Sequence, residues 1–164
     1  MIRFVIVASL LVACGPGSPG GPNMNNSKLS NDLPPPVSSV VSAAILEREP
    51  LSNTAQVKHI LVSWKDLGEA FGGRQDPRGQ KRTKAEAEAQ IKALVGQITA
   101  GGDFDAIMKT NSEDSGSAAS GRPFKVTPDA QLVIEFRQLS LRLRVGEIGV
   151  CQSDYGFHII KRFE

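Results

Sequence analysis

Residues 56–64 read QVKHILVSW, with Val57, His59 and Leu61 on one face and Ile60, Val62 and Trp64 on the other. Both faces are largely apolar, so the stretch is expected to be an inner strand of a sheet. A polar stretch from Lys65 to Arg82 follows, broken by Gly72-Gly73, Pro77 and Gly79, and reads as a long loop. The period then becomes helical. Thr83 and Glu86 have capping-box spacing, and Ala87, Ile91, Leu94, Val95 and Ile98 form an apolar stripe to about Thr99, where Gly101-Gly102 stops the helix. Asp103 opens a shorter helix to about Asn111, with Phe104, Ile107 and Met108 inward. Ser112 to Gly121 reads as a small-residue loop and Phe124 to Val126 as a short strand. Pro128-Asp129 is expected to begin a third helix carrying Leu132, Val133, Phe136 and Leu139. A turn at 145–149, a strand at 148–152, a tight turn at 153–156 and a last strand at 157–163 complete the pattern. Strand, two helices, strand, helix and hairpin make an α+β class around a small antiparallel sheet.

Ahead of this region the composition changes. In residues 1–13, Arg3 is the single charge and Phe4 to Ala13 an apolar run too short to span a bilayer, the form of an export signal. Residues 14–50 are expected to be a flexible Gly/Pro/Ser-rich linker, stiffened at Pro34-Pro35-Pro36. Within it, Val40, Val41, Ala44, Ile45 and Arg48 suggest a short helix at 37–49, which leaves 51–164 as the folded domain. Leu11-Val12-Ala13-Cys14 resembles the lipobox of bacterial lipoproteins, which implies cleavage before Cys14 and acylation of it; the plainer alternative is an ordinary signal peptide with an incidental cysteine. Each buried acyl methylene contributes about 0.8 kcal/mol, so several chains tether a domain to a membrane without embedding it. Cys151, between apolar neighbours, reads as a small core residue.

The formal net charge of +2 gives no overall electrostatic signal for nucleic acid. The chain has two histidines, His59 and His158, each within an apolar strand. On the residues alone core packing is the favoured reading, with a site built across a sheet as the alternative. No cluster of carboxylates or thiolates at ligand spacing accompanies them, so no metal is implied.

Taken in order, the segments VKHILV (57–62), TKAEAEAQIKAL (83–94), GGDFDAIMKTNSEDSGSA (101–118), LVIEF (132–136), RVGEIG (144–149) and YGFHIIKRFE (155–164) resemble the parvulin-type peptidyl-prolyl isomerases. The resemblance covers residues 56–164 and implies a parvulin-like (FKBP-like) four-stranded antiparallel sheet surrounded by helices. It also implies catalysis of rotation about the peptide bond before proline, with no cofactor. The barrier to that rotation, about 18–20 kcal/mol, comes from amide resonance and can be lowered without making or breaking a bond. Carried over by position, the two family histidines fall on His59 and His158, a Cys/Asp position on Asp114, a hydroxyl position on Tyr155, and the proline pocket on Leu132 and Phe136. Each has a plainer reading: Asp114 as a turn cap, Tyr155 as an exposed turn residue, Leu132 and Phe136 as ordinary core.

Where the family has Gly-Asp-Leu-Gly, this chain has Gly121-Arg122-Pro123-Phe124. That departure reshapes the expected lip of the pocket, where Phe124 is a candidate to supply apolar surface. The basic residues Arg74, Arg78, Lys81 and Arg82 resemble a loop by which some family members select an acidic residue before proline; the alternative is a solvated loop offset by Asp66, Glu69 and Asp76. The implied partners are proline-containing unfolded or partly folded exported polypeptides, and a membrane through the lipid anchor, in a bacterial cell envelope. The implied activity is prolyl isomerisation assisting the folding of exported proteins. The alternatives are a catalytically weak parvulin-fold chaperone and a purely structural lipoprotein.

Overall fold

The computed structural model describes residues 38–164. The expected signal segment, Cys14 and the linker up to residue 37 lie outside the described residues. Strand β1 (Ala55–Val62) is central, as its two apolar faces require. It pairs antiparallel with β2 (Phe124–Val126) on one side and with β4 (Gly156–Arg162) on the other. Strand β3 (Ile148–Ser153) pairs with β4 and closes the order β2-β1-β4-β3.

The alternation of side chains along the strands sorts the core into two clusters, one on each face of the sheet. Ile60, Val62, Phe157 and Ile159 pack with Ala87, Ile91, Phe104 and Met108. These come from α3 (Lys84–Thr99) and α4 (Phe104–Asn111). The Thr83–Glu86 capping box is formed in both directions. On the opposite face Val57, Cys151 and Ile160 pack with Phe136, Leu139 and Leu143. Phe136 and Leu139 lie on α6 (Ile134–Arg142). Cys151 is a free, fully buried core residue whose thiol is pushed up by burial, far from thiolate reactivity.

Four expectations need correction. The polar stretch 65–82 is not an open loop. It forms a 3-10 helix (Lys65–Phe71) and α2 (Pro77–Lys81), the latter started by an Asp76 cap with proline at its first position. The small-residue stretch contains α5 (Ser115–Ser120), capped by Asp114 and ended by Gly121 at φ 62°. Helix α6 begins at Ile134 rather than near Pro128, because Thr127 Oγ1 bonds Asp129 and the Ala130 and Leu132 amides close tight turns. Leu132 and Phe136 therefore do not share a helix face.

The fourth concerns the linker, whose last part, residues 38–50, is packed on the sheet. Only Ala43–Leu46 (α1) is helical. Val40 enters one core cluster and Ile45 the other. The Ser42 amide donates to the Val150 carbonyl and the Val150 amide to Ser42 Oγ, both at 2.9 Å. Arg48 pairs with Glu147 at 2.9 Å, and Arg142 donates to the Arg48 carbonyl. The segment thus covers the outer edge of β3.

Candidate active site

His59 and His158 lie on the α6 face of neighbouring central strands, where alternation puts them with Leu61 and Ile160. Helix α6 fills the part of this face around Val57, Cys151 and Ile160. The part around His59, Leu61 and His158 floors a cleft of about 470 Å³. The cleft lining is apolar at Phe124, Leu132 and Phe136, with Phe124 paired to Val57; Phe71 and Tyr155 line it past the other end of β1, where Gly156 lies against Val62 and Ser63. Phe124 and Phe136 meet the His59 ring edge-on, at centroid distances of 5.4 and 5.1 Å, and each other at 5.9 Å.

A hydrogen-bonded row runs beneath the cleft. His59 Nδ1 faces His158 Nδ1 at 3.2 Å, His59 Nε2 faces Asp114 Oδ2 at 3.0 Å, and His158 Nε2 faces Ser153 Oγ at 2.8 Å. Ser153 Oγ also accepts from the Tyr155 amide, and Ser117 Oγ lies 3.3 Å from His59 Nε2. The hydrogen bond from His59 holds the Asp114 carboxyl well below the usual carboxylate range, against the opposing effect of its partial burial. With Asp114 ionised, His59 Nε2 must donate. When Nε2 carries the only ring hydrogen of His59, Nδ1 accepts from His158, whose Nε2 accepts from the Ser153 hydroxyl. In that arrangement every group of the row has a partner. Burial, reinforced by His59, pushes His158 down to about 3, while Asp114 acts weakly the other way. His158 is thus neutral across the physiological range, a fixed post rather than a proton donor.

Of the residues expected from the sequence, His59, His158, Asp114, Leu132, Phe136 and Phe124 come together. Asp114 both caps α5, through Oδ1 accepting from the Ser117 amide at 3.1 Å, and bonds His59 through Oδ2. Pro123 is exposed, and Phe124 supplies the surface at the lip. Tyr155 lines the cleft, but the hydroxyl bonded to His158 is that of Ser153.

The four basic residues do not line the cleft. Arg78 is held by Asp76 and by the carbonyls of Thr110, Asn111 and Ser112. Arg82 is held by Glu113 and the Ser63 carbonyl.

Sequence reasoning missed Ser153, Ser117, Glu113 and Phe71. Ser153 left a signal: two residues after Cys151, it is a polar side chain at a core-facing position. Phe71 left another, as a lone aromatic in a polar stretch.

Comparison with known proteins bears on the fold and the family. The chain is 30% identical over 112 residues to the foldase protein PrsA of Geobacillus kaustophilus, covering 68% of this chain and 40% of that protein. It is 36% identical over 107 residues to the chaperone SurA of Cupriavidus pinatubonensis, covering 65% and 18%. It therefore spans well under half of either relative. The solution structure of TbPIN1 shares the fold, with a TM-score of 0.59 at 24% identity over 70% of this chain and 100% of that one. Residues 43–164 match the model of the PPIC-type PPIase domain, and the chain accordingly belongs to the parvulin-type peptidyl-prolyl isomerase family.

Proposed function

We propose that this protein is a peptidyl-prolyl cis-trans isomerase that assists the folding of exported polypeptides. The observation that carries this reading is the apolar end of the cleft at Phe124, Leu132 and Phe136, set directly against the His59–Asp114 pair. A proline ring fits the first, and the preceding carbonyl then faces the second. Amide resonance places negative charge on that oxygen, and a carboxylate nearby raises the planar form more than the twisted one. Low-polarity aromatic walls act in the same direction, since the twisted amide is less dipolar. Both effects stabilise the transition state relative to the ground states, with no covalent step. The histidine row holds Asp114 in place. The Gly121-Arg122-Pro123-Phe124 departure leaves the pocket intact, because Phe124 lines it.

Export and anchoring rest on the N-terminal sequence, from Arg3 and the apolar run to Leu11-Val12-Ala13-Cys14. The protein would sit lipid-anchored on the extracytoplasmic side of a bacterial membrane and meet unfolded chains there. Mass spectrometry of the mature N-terminus tests this: an acylated Cys14 supports the anchor, and an unmodified Cys14 rules it out.

The activity is tested by NMR exchange spectroscopy on a short X-Pro peptide with catalytic amounts of the purified protein. Faster cis-trans exchange is expected. An unchanged rate, together with suppressed aggregation of a denatured client, would replace the isomerase reading with that of a binding chaperone.

A further inference from the structure

We propose that Phe71 and Tyr155 form a second apolar subsite, one that receives the side chain of the residue before proline and makes this cleft select an aromatic or aliphatic residue there over an acidic one. This rests on the isomerase reading above.

The two rings meet edge-to-face at a centroid distance of 5.4 Å and line the cleft past the Val62 end of β1, whereas Phe124 sits at its Val57 end. Asp114 stands between the two ends, on His59, beside a floor made by His59 and Leu61. A proline ring in the Phe124–Phe136 pocket puts its amide over this polar centre. The residue that owns the amide carbonyl then continues toward Phe71 and Tyr155.

The charge around the cleft points the same way. Its lining holds the Asp114 carboxylate and no lysine or arginine among the described residues; Glu113 also lines it, but its carboxylate is buried against Arg82 and Ser63. Arg78 and Arg82, which could have approached an acidic side chain, are already paired with Asp76 and Glu113. An acidic residue before proline would enter a site of its own sign, with no free cation lining it.

Phe71 is held rather than trailing. It ends the 3-10 helix, Gly72 turns at φ 54°, and the Arg74 amide returns to the Phe71 carbonyl at 3.1 Å. Buried Gln75 then fastens the segment to the Trp64 carbonyl at 2.8 Å and to Ser63 Oγ at 3.2 Å. A rigid aromatic surface gives selectivity at small ordering cost.

The test uses the purified full chain and a peptide series differing only before proline: Phe, Leu, Ala and Glu. Exchange rates should rank Phe and Leu above Ala and Ala above Glu, with Phe over Glu by about tenfold or more, the scale on which one apolar contact discriminates. Phe71→Ala should cut the Phe-to-Ala ratio several-fold, Tyr155→Phe should keep it, and Phe71→Arg should raise Glu relative to Phe. A flat parent ranking, a preference for Glu, or a Phe71→Ala ratio equal to the parent's would overturn the subsite. If no peptide is accelerated, the isomerase reading itself falls. The affinity ranking of the same peptides by NMR titration then decides the subsite separately, with Phe above Glu supporting it and equal affinities overturning it.

Discussion

The Nδ1 atoms of His59 and His158 face each other at 3.2 Å, so one carries a hydrogen and the other does not. Which is which follows from the far ends of the row. Asp114 accepts at one end, and at the other the Ser153 hydroxyl, which accepts from the Tyr155 amide, can serve His158 in either direction, so Asp114 sets the order when His59 carries a single hydrogen. His59 is therefore expected as the Nε2–H tautomer and His158 as the Nδ1–H tautomer. Nitrogen-15 NMR at pH 7.5 reads this directly, since protonated and bare ring nitrogens resonate far apart. Asp114→Ala removes the acceptor that orders the row and should leave mixed tautomers, with isomerase activity reduced at least tenfold. A parent His158 protonated at Nε2 would show that Asp114 does not set the direction.

Burying a neutral His158 makes stability depend on pH. In the unfolded chain the imidazole takes a proton near pH 6.5, and in the folded protein only near pH 3. Between those values unfolding takes up a proton, so stability is greatest above about 6.5 and falls as pH drops. The slope is at most about 1.4 kcal/mol per pH unit for this one group. Asp114, with its pKa depressed, adds stability that is full above about pH 4 and lost only below that. Urea unfolding at pH 7.5, 6.0, 5.0 and 4.5 should therefore show a steeper decline in the parent than in His158→Gln. Equal slopes would mean that His158 is protonated in the folded protein.

The Glu113 carboxylate has no exposed side-chain surface and accepts from the Ser63 amide and hydroxyl and from Arg82. Arg82→Leu leaves that charge buried without its cation and should cost about 3–5 kcal/mol in urea unfolding. Adding Glu113→Gln to Arg82→Leu should recover part of the loss, because the uncompensated charge goes with it. A cost under about 1 kcal/mol for Arg82→Leu would place the pair in the class of exposed ion pairs.

The sheet and the helix opened by Thr83 and Glu86 were legible from period and motif because they rest on local rules, whereas the candidate site residues came from the family resemblance. Val57 to Val62 could only be an inner strand, and Thr83 with Glu86 could only open a helix. What was not legible depended on partners distant in sequence. Arg78 and Arg82 look like free cations in one dimension. Their neutralisation comes from Asp76, nearby but read only as bulk charge, and from Glu113, 31 residues away. Ser153 looks like a turn residue until the hairpin sets it beside His158. Leu132 fits a helical stripe with Phe136, yet the Thr127–Asp129 turn keeps it out of the helix. Phe124 could be weighed only as a candidate, because its contact with His59 depends on the register of β2 against β1.

The packed segment 38–50 yields the last prediction. Its mixed composition reads as linker and only one turn of it is helical, but its contribution lies in what it covers. Val40 and Ile45 are each about 9% exposed, and burial of such side chains contributes about 1.5–3 kcal/mol apiece. Ser42 occupies the backbone edge of β3 at Val150, which would otherwise offer an unpaired donor and acceptor to another chain. The Arg48–Glu147 pair is partly exposed and adds little. A fragment starting at residue 51 should thus be less stable than one starting at 37 by roughly 3–5 kcal/mol in urea unfolding. It should also self-associate in analytical ultracentrifugation at concentrations where the longer fragment stays monomeric. Within the longer fragment, Ser42→Pro tests the edge pairing separately from the apolar contacts, because it removes both the amide and the hydroxyl and leaves Val40 and Ile45 in place. Association of Ser42→Pro would assign the protection to the covered edge, and its absence would assign the stabilising effect of 38–50 to Val40 and Ile45 alone.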